Sequence, residues 1–260
     1  MDKKLNPKVV PRVLPVVELD NVKAKYHHPN LPCVGCGVPG GGALLLMISP
    51  VKTGKSTIIS NLLLNDSFFG QEYFDDVQII SNTIKNDVTS RFLNQAFNVY
   101  DYYDDAIIDG LINRQKGFDK IDQPETALIL DDCLGSIKRE SRINHICSRY
   151  RHFNIKLLVI SSQKFKGSVS PIVRANATDV IIGSPFPNQK ELLAVSDEYG
   201  DLFGGPENWM RLYRESTPNK YDFCYMDLQA NPPIMYSNFE KQIAVGGYAD
   251  KKSKMDIVDE

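Results

Sequence analysis

The sequence predicts an α/β fold with a mostly parallel central sheet flanked by helices, and three stretches predict it. An apolar run from Ala43 to Ile48 breaks at Ser49-Pro50, passes through Lys52-Thr53-Gly54-Lys55-Ser56-Thr57, and resumes at helical spacing through Ile58, Ile59, Leu62 and Leu63. A second apolar run, Thr126 to Leu130, ends in the paired acids Asp131 and Asp132. A third, Lys156 to Ser162, ends at Gln163. Short continuous apolar strands alternating with helix-period segments are what a parallel sheet covered on both faces requires.

Composition sets the outer bounds. With 260 residues, 42% of them hydrophobic, the chain is long enough for one sizeable domain. A net charge of -2 gives no global basic field, so nucleic-acid binding would have to come from a local patch. The sequence has no apolar run of membrane-spanning length and no signal-peptide core near Met1, so a soluble, intracellular protein without membrane insertion is expected. Five cysteines, an odd number, fit reduced thiols better than a disulfide framework.

Taken in order, residues 1–39 form an extended, mildly basic arm, since five prolines before residue 33 exclude a long helix; a strand is expected around Val13 to Leu19. Cys33 and Cys36 lie in a Gly- and Pro-rich stretch that reads as a structural turn, with a metal pair or a redox pair as the alternatives. The next loop matches the phosphate-binding pattern G-x-x-x-x-G-K-[ST] at its last three fixed positions, with Ser49 in place of the first glycine. Its candidate binding residues are Ser49, Pro50, Val51, Lys52, Thr53, Gly54, Lys55, Ser56 and Thr57. In such a loop backbone N–H groups point inward and the following helix offers its positive N-terminus to an anion. Lys55 would reach the β- and γ-phosphates and Ser56 would ligate Mg²⁺. A serine's Cβ restricts φ, so the loop is expected to begin outside the left-handed region at Ser49.

A second buried strand follows at Asp75 to Ser81, and residues 66–109, with nine acids against two basic residues, read as a solvated acidic face. A helix is expected over Asp104 to Lys116, then a turn through Gly117 and Pro124. Thr126 to Asp131 reads as a central parallel strand whose carboxyl end emerges beside the phosphate loop, where open α/β sheets bind ligands. There Asp131 suits a metal and Asp132 suits polarising an attacking water. Lys138 to His152 predicts a helix with Lys138, Arg142, His145, Arg149 and His152 along one face, inside a region (133–174) holding nine Lys and Arg against Glu140 alone. Such a stripe is solvated surface, a contact for DNA phosphates, or the source of an arginine pointed at a neighbouring subunit's nucleotide. Gln163, just past its strand, can hydrogen-bond both an attacking water and a γ-phosphate. Val169 to Ser184 predicts a short turn and a strand at Asp179 to Ile182, with Arg174 as another candidate for a charge delivered across an interface. A helix follows around Asn188 to Tyr199. Alternating Trp209, Arg211 and Tyr213, with Asp222 to Leu228, read as an antiparallel hairpin closing the sheet edge. The globular domain is thus expected over 40–242, with 243–260 as a charged tail of disordered composition.

The order SPVKTGKST, LILDD, basic helix, LLVISSQ, PIVRAN, hairpin resembles the FtsK–HerA class of P-loop ATPases, and within it the genome-packaging ATPases of poxviruses, giant DNA viruses and virophages. The resemblance spans roughly residues 40–240. It implies a RecA-like core that binds ATP and Mg²⁺, assembles into a homo-oligomeric ring, hydrolyses ATP between subunits, and drives double-stranded DNA into a preformed capsid. Capsid or portal components are then partners, and the location is the host cytoplasm or the virion. Carried over residue by residue, Lys55 and Ser56 serve phosphates and metal, Asp131 the metal, Asp132 the water, and Gln163 senses the γ-phosphate; Arg149, Arg151 and Arg174 are candidates for the arginine acting in trans. Asp132 stands where many members have Glu. A nucleoside or nucleotide kinase on the same loop, and a nucleotide-dependent scaffold without turnover, are the competing expectations.

Overall fold

A computed structural model describes residues 32–35, 41–84, 91–134 and 141–247. The expected strand at Val13 to Leu19, Cys36, Lys138 and the distal tail lie outside the described residues. Nine strands form one sheet: β1 (Ala43–Ile48), β2 (Asp76–Ser81), β3 (Asn98–Tyr100), β4 (Thr126–Asp131), β5 (Ile155–Ser162), β6 (Asp179–Gly183), β7 (Phe223–Asp227), β8 (Ile234–Ser237) and β9 (Lys241–Val245). Among the described residues seven α-helices accompany them: α1 (Lys55–Leu64), α2 (Arg91–Ala96), α3 (Asp105–Lys116), α4 (Arg142–Arg149), α5 (Pro171–Asn176), α6 (Gln189–Tyr199) and α7 (Pro206–Ser216). The strand order is β3-β2-β4-β5-β1-β6-β7-β8-β9, parallel from β3 to β6 and antiparallel from β6 to β9.

Every residue of β1 and of β4 is buried, which their unbroken apolar composition requires of strands covered on both faces. Alternation divides β1 between two cores. Leu44, Leu46 and Ile48 join the face covered by α3 to α7, and Ala43, Leu45 and Met47 join Ile59, Leu62 and Leu63 of α1 on the other. The decisive topological feature is that β5 pairs with β1 on one side and with β4 on the other. The loop after β1, the acids ending β4 and the glutamine after β5 therefore emerge from three adjacent strands, at the carboxyl edge where parallel sheets present ligand sites.

The structure corrects several local expectations. Residues 206–216 are helical, not a strand of the edge hairpin. Trp209, Leu212, Tyr213 and Ser216 are buried at helical spacing, and Pro206 opens the helix after Gly205, so the alternation of Trp209, Arg211 and Tyr213 is a coincidence of two periods. The antiparallel edge is made by β7, β8 and β9. The turn expected before β6 contains α5, with Pro171 in its first turn and Ser170 accepting a hydrogen bond from the Val173 N–H. The basic helix begins at Arg142 and gives way to a 3₁₀ turn over Tyr150–Phe153, which ends at left-handed Asn154. Strand β9 runs to Val245, into the segment expected as tail. Cys33 is disulfide-bonded, against the expectation of reduced thiols, whereas Cys133, Cys147 and Cys224 are free and buried. Among the described residues no helix is long and apolar enough to cross a membrane.

Helix α7 is fastened to the antiparallel edge through Trp209, which is fully buried, stacks on Tyr213 at 5.6 Å and donates its indole N–H to Met226 Sδ at 3.2 Å. Trp209→Ala should lower the unfolding free energy by about 3–5 kcal/mol in urea titrations followed by far-ultraviolet circular dichroism.

Candidate functional site

The loop between β1 and α1 takes its shape from two left-handed residues, Lys52 (φ 62°) and Gly54 (φ 95°). Ser49 is not among the positive-φ residues, as its Cβ demands. Its hydroxyl shares a short hydrogen bond with the Thr53 hydroxyl, and Thr53 Oγ1 also donates to the Pro50 carbonyl at 2.6 Å. The room for this side chain comes from the end of β6: a Cβ on Gly183 would lie 1.9 Å from Ser49 Oγ. The glycine absent from the loop has thus been exchanged for one on a neighbouring strand. The sequence hides this exchange, because Gly183 is distant in the chain and reads as an ordinary strand end.

Lys55 opens α1 and is almost entirely buried. Its ammonium group donates to the Ser49 carbonyl at 3.0 Å and the Pro50 carbonyl at 3.3 Å, and it pairs with Asp132 Oδ2 at 2.9 Å. Asp132 follows β4 in a left-handed conformation (φ 49°), which turns its carboxylate towards the loop; its other oxygen, Oδ1, is buried without a hydrogen-bond partner. Gln163 Nε2 stands 3.4 Å from Asp132 Oδ2.

Asp131 is held by two hydroxyls that sequence reasoning did not single out. Ser81, its register partner on β2, donates to Oδ2 at 3.0 Å; Ser161 on β5 donates to Oδ1 at 2.5 Å and accepts the Asp132 N–H at 3.1 Å. The available signal was a serine at the end of each apolar strand flanking β4. Burial pushes the Asp131 carboxyl above its ordinary value of 3.8, and the neighbouring Asp132 charge adds to the rise; the two serines and Lys55 oppose it. Burial likewise pushes the adjacent Cys133 thiol up to about 12, which leaves it inert as a nucleophile.

A cavity of about 1130 Å³ opens beside these groups and runs past the loop to β7 and the β8–β9 turn; Ser49 and Pro50 do not line it. The structure brings Lys55, Ser56, Asp131, Asp132 and Gln163 to this cavity. It does not bring Arg149, Arg151 or Arg174 there. Arg149, the last residue of α4, and Arg151, in the 3₁₀ turn that leads to β5, are both exposed, and a Cβ on Gly42, just ahead of β1, would lie 3.3 Å from Arg151 Cγ. That is the amino edge of the sheet, roughly 20 Å from the loop at ~3.3 Å per strand residue. Arg174 has partners within its own subunit: Glu198 at 3.4 Å, the Val169 carbonyl at 3.1 Å and the Phe165 ring at 5.1 Å. Arg142, at the head of the basic stripe, is paired with Asp109 at 3.0 Å, so the acidic and basic segments partly neutralise each other.

The donor set fits a magnesium–nucleotide complex. The cradle is open above Gly54, where a Cβ would meet nothing within 4 Å. Asp132 keeps an unused buried oxygen, and the raised Asp131 carboxyl would be relieved by a cation. Among the described residues no group of three or more His, Cys, Asp or Glu side chains is arranged to hold a metal, which suits an ion carried largely by phosphates and water.

The fold is that of the P-loop NTPases, and the loop after β1 carries the phosphate-binding pattern such folds use. The chain belongs to the same family as the 075L protein of Invertebrate iridescent virus 6, to which it is 30% identical over 194 residues, covering 73% of this chain and 72% of that one. No family model matches the sequence. Among solved structures, the genome packaging NTPase B204 of Sulfolobus turreted icosahedral virus 2 in complex with AMPPCP is similar at TM-score 0.53 and 18% identity, over 75% of this chain and 97% of that one. The monomer form of the pCW3 conjugation coupling protein TcpA with ATPγS is similar at TM-score 0.52 and 13% identity, over 85% of this chain and 69% of that one.

Two predictions follow from the geometry. Gly183→Ala should disrupt the loop and weaken nucleotide binding at least tenfold in calorimetric titration, and Ser49→Gly in the same chain should restore most of it. An acid whose pKa is raised by folding favours the folded state only while protonated, so above that raised value the Asp131 charge lowers stability. Asp131→Asn should therefore unfold at an equal or higher temperature than the wild type at pH 7, yet lose the rise that Mg²⁺ and ATP together give the wild type in thermal melts.

Proposed function

We propose that this protein is an ATP-driven motor that moves double-stranded DNA, working as a homo-oligomeric ring that packages a viral genome into a capsid. The observation that carries the ATPase part is the convergence of Lys55, Asp132 and Gln163 at one end of the cavity, with Asp131 buried beside them. The packaging part rests on the fold shared with a viral genome packaging NTPase and on the viral relative.

In this reading the nucleotide's phosphates lie in the loop after β1, and Lys55 leaves Asp132 to meet the β- and γ-phosphates. Asp132, released from its ion pair, orients and deprotonates the attacking water, and Gln163 hydrogen-bonds that water and the γ-phosphate. Ser56 and Asp131 would hold Mg²⁺, which supplies charge neutralisation on the phosphates. Ser161, bonded to the Asp131 carboxylate and to the Asp132 backbone N–H, ties the position of the one acid to the backbone of the other. Arg149, Arg151 and Arg174 lie away from their own subunit's cavity, so an arginine contribution would come from a neighbour; Arg149 and Arg151, being exposed, suit that role better than Arg174. The exposed basic residues beyond α4 are equally suited to DNA phosphates.

The test is ATP hydrolysis with and without double-stranded DNA. Lys55→Ala should retain the circular dichroism spectrum and abolish turnover. Wild-type turnover should rise with DNA, and the stimulation should vanish as salt is increased, because phosphate contacts release counterions. Undiminished hydrolysis by Lys55→Ala would refute the site, and turnover indifferent to DNA at every salt concentration would refute the motor. Phosphate transfer to a nucleoside in place of water would favour a kinase, and binding without hydrolysis would favour a scaffold.

A further inference from the structure

The cavity extends well past the groups that serve a terminal phosphate. In sheet order those groups sit on β4 and β5, on one side of β1; the far end lies on the other side, against the start of β7 and the β8–β9 turn. A nucleotide with its γ-phosphate at Asp132 must therefore place its nucleoside at this second end. The floor there is aromatic: Phe68 packs on Phe239 at 4.9 Å, and Phe239 on Phe223 at 5.0 Å.

At the rim stands Tyr221. It is 55% exposed, and its backbone is left-handed at φ 75°, a conformation that a bulky residue rarely adopts. Its neighbours fix it there. The Tyr221 N–H donates to the Ser184 carbonyl, the Ser184 N–H donates to the Asp222 carbonyl at 2.9 Å, and Asp222 accepts from Asn219 and Asn238. Asn238, itself left-handed, accepts the Phe223 N–H at 3.0 Å and donates its own N–H to the Phe223 carbonyl at 2.8 Å. The left-handed backbone at Tyr221 is thus set by its own bond to Ser184 and by the bonds of the residues on either side. Lys220 Nζ lies 4.7 Å from the Tyr221 ring centroid, a cation–π contact on one face of the ring.

Several polar side chains around this end have their bonds within the protein, and three others that line it, Ser67, Lys220 and Glu240, are half-buried or exposed. Asn61 donates to the Thr57 carbonyl and accepts from Asn65, and Asn65 accepts the Ser67 N–H. Asp222 and Asn238 are engaged as described. The site thus offers a flat aromatic surface, and the groups left uncommitted beside it are not buried ones dedicated to the edge of a base.

We propose that Tyr221 is the stacking platform of a nucleoside subsite that accepts any of the common bases, which makes the substrate class nucleoside triphosphates in general. Stacking is tolerant because every base presents a π-face, whereas strong discrimination needs buried hydrogen-bonding groups dedicated to the base. The proposal rests on the nucleotide reading of the loop, and the experiment separates the two.

Full-length wild type, Tyr221→Ala, Tyr221→Gly, Tyr221→Phe and Lys55→Ala are titrated calorimetrically with ATP, GTP, CTP and inorganic tripolyphosphate, each with Mg²⁺. The wild type should bind the three nucleotides within about tenfold of one another. Tyr221→Ala and Tyr221→Gly should weaken all three by roughly 5- to 150-fold while leaving tripolyphosphate unchanged, and Tyr221→Phe should bind like the wild type. Because glycine accepts the left-handed backbone without strain, Tyr221→Gly should melt no lower than Tyr221→Ala, which separates lost stacking from lost structure. Unchanged ATP affinity in Tyr221→Ala, equal losses for ATP and tripolyphosphate, or a preference above a hundredfold for one base would overturn the proposal. Wild type binding neither ATP nor tripolyphosphate, or Lys55→Ala binding both undiminished, would overturn the nucleotide reading and the subsite with it.

Discussion

The ion pair between Lys55 and Asp132 joins the loop after β1 to the end of β4 across the strand that separates them, and the rest of the site depends on it. The lysine is 8% exposed and the carboxylate 13% exposed; each is the other's partner, and backbone carbonyls complete the lysine's shell. In the proposed reading the pair is also a switch: a phosphate entering the loop would compete for Lys55 and set free the carboxylate that Gln163 contacts. Sheet topology makes this economical, since β5 delivers Ser161 and Gln163 between the two strands that carry the charges.

The buried acid beside that pair shows how function and stability oppose each other here. Asp131 is raised by burial and by Asp132, so two carboxyls lie close together with one lysine between them. Ser81 and Ser161 offset part of that repulsion by donating to both oxygens. A site optimised for stability alone would have replaced Asp131 with a neutral residue. Retaining it makes sense where a cation joins the site with its nucleotide.

Much of the arrangement was legible in the sequence because it is written in short local patterns. The loop, the acids after β4 and Gln163 each follow an apolar strand directly, so their position at the carboxyl edge follows from strand identity alone. What was not legible depends on contacts across the sheet. Gly183 makes sense only beside Ser49, and Ser81 and Ser161 only beside Asp131, across strand neighbours that the order of the sequence does not give. Helix α7 was misread because Trp209, Arg211 and Tyr213 satisfy a strand period over five residues, while the helical period declares itself only when Leu212 and Ser216 are included. Strand β3 and helix α2 are too short to leave a period at all. The cationic stripe was visible, but that the chain following it brings Arg151 to the edge of the sheet opposite the loop was not.

The most direct test of the central claim is Asp132→Asn, which removes the carboxylate charge and keeps a side chain that tolerates the left-handed backbone at this position. Binding of Mg²⁺ and ATP and steady-state hydrolysis should be measured on the same preparation. If Asp132 activates the attacking water in a pocket that Lys55 gates, the variant binds ATP at least as tightly as the wild type and its turnover falls by roughly 10²- to 10⁴-fold. Turnover at the wild-type rate with binding intact would contradict the account.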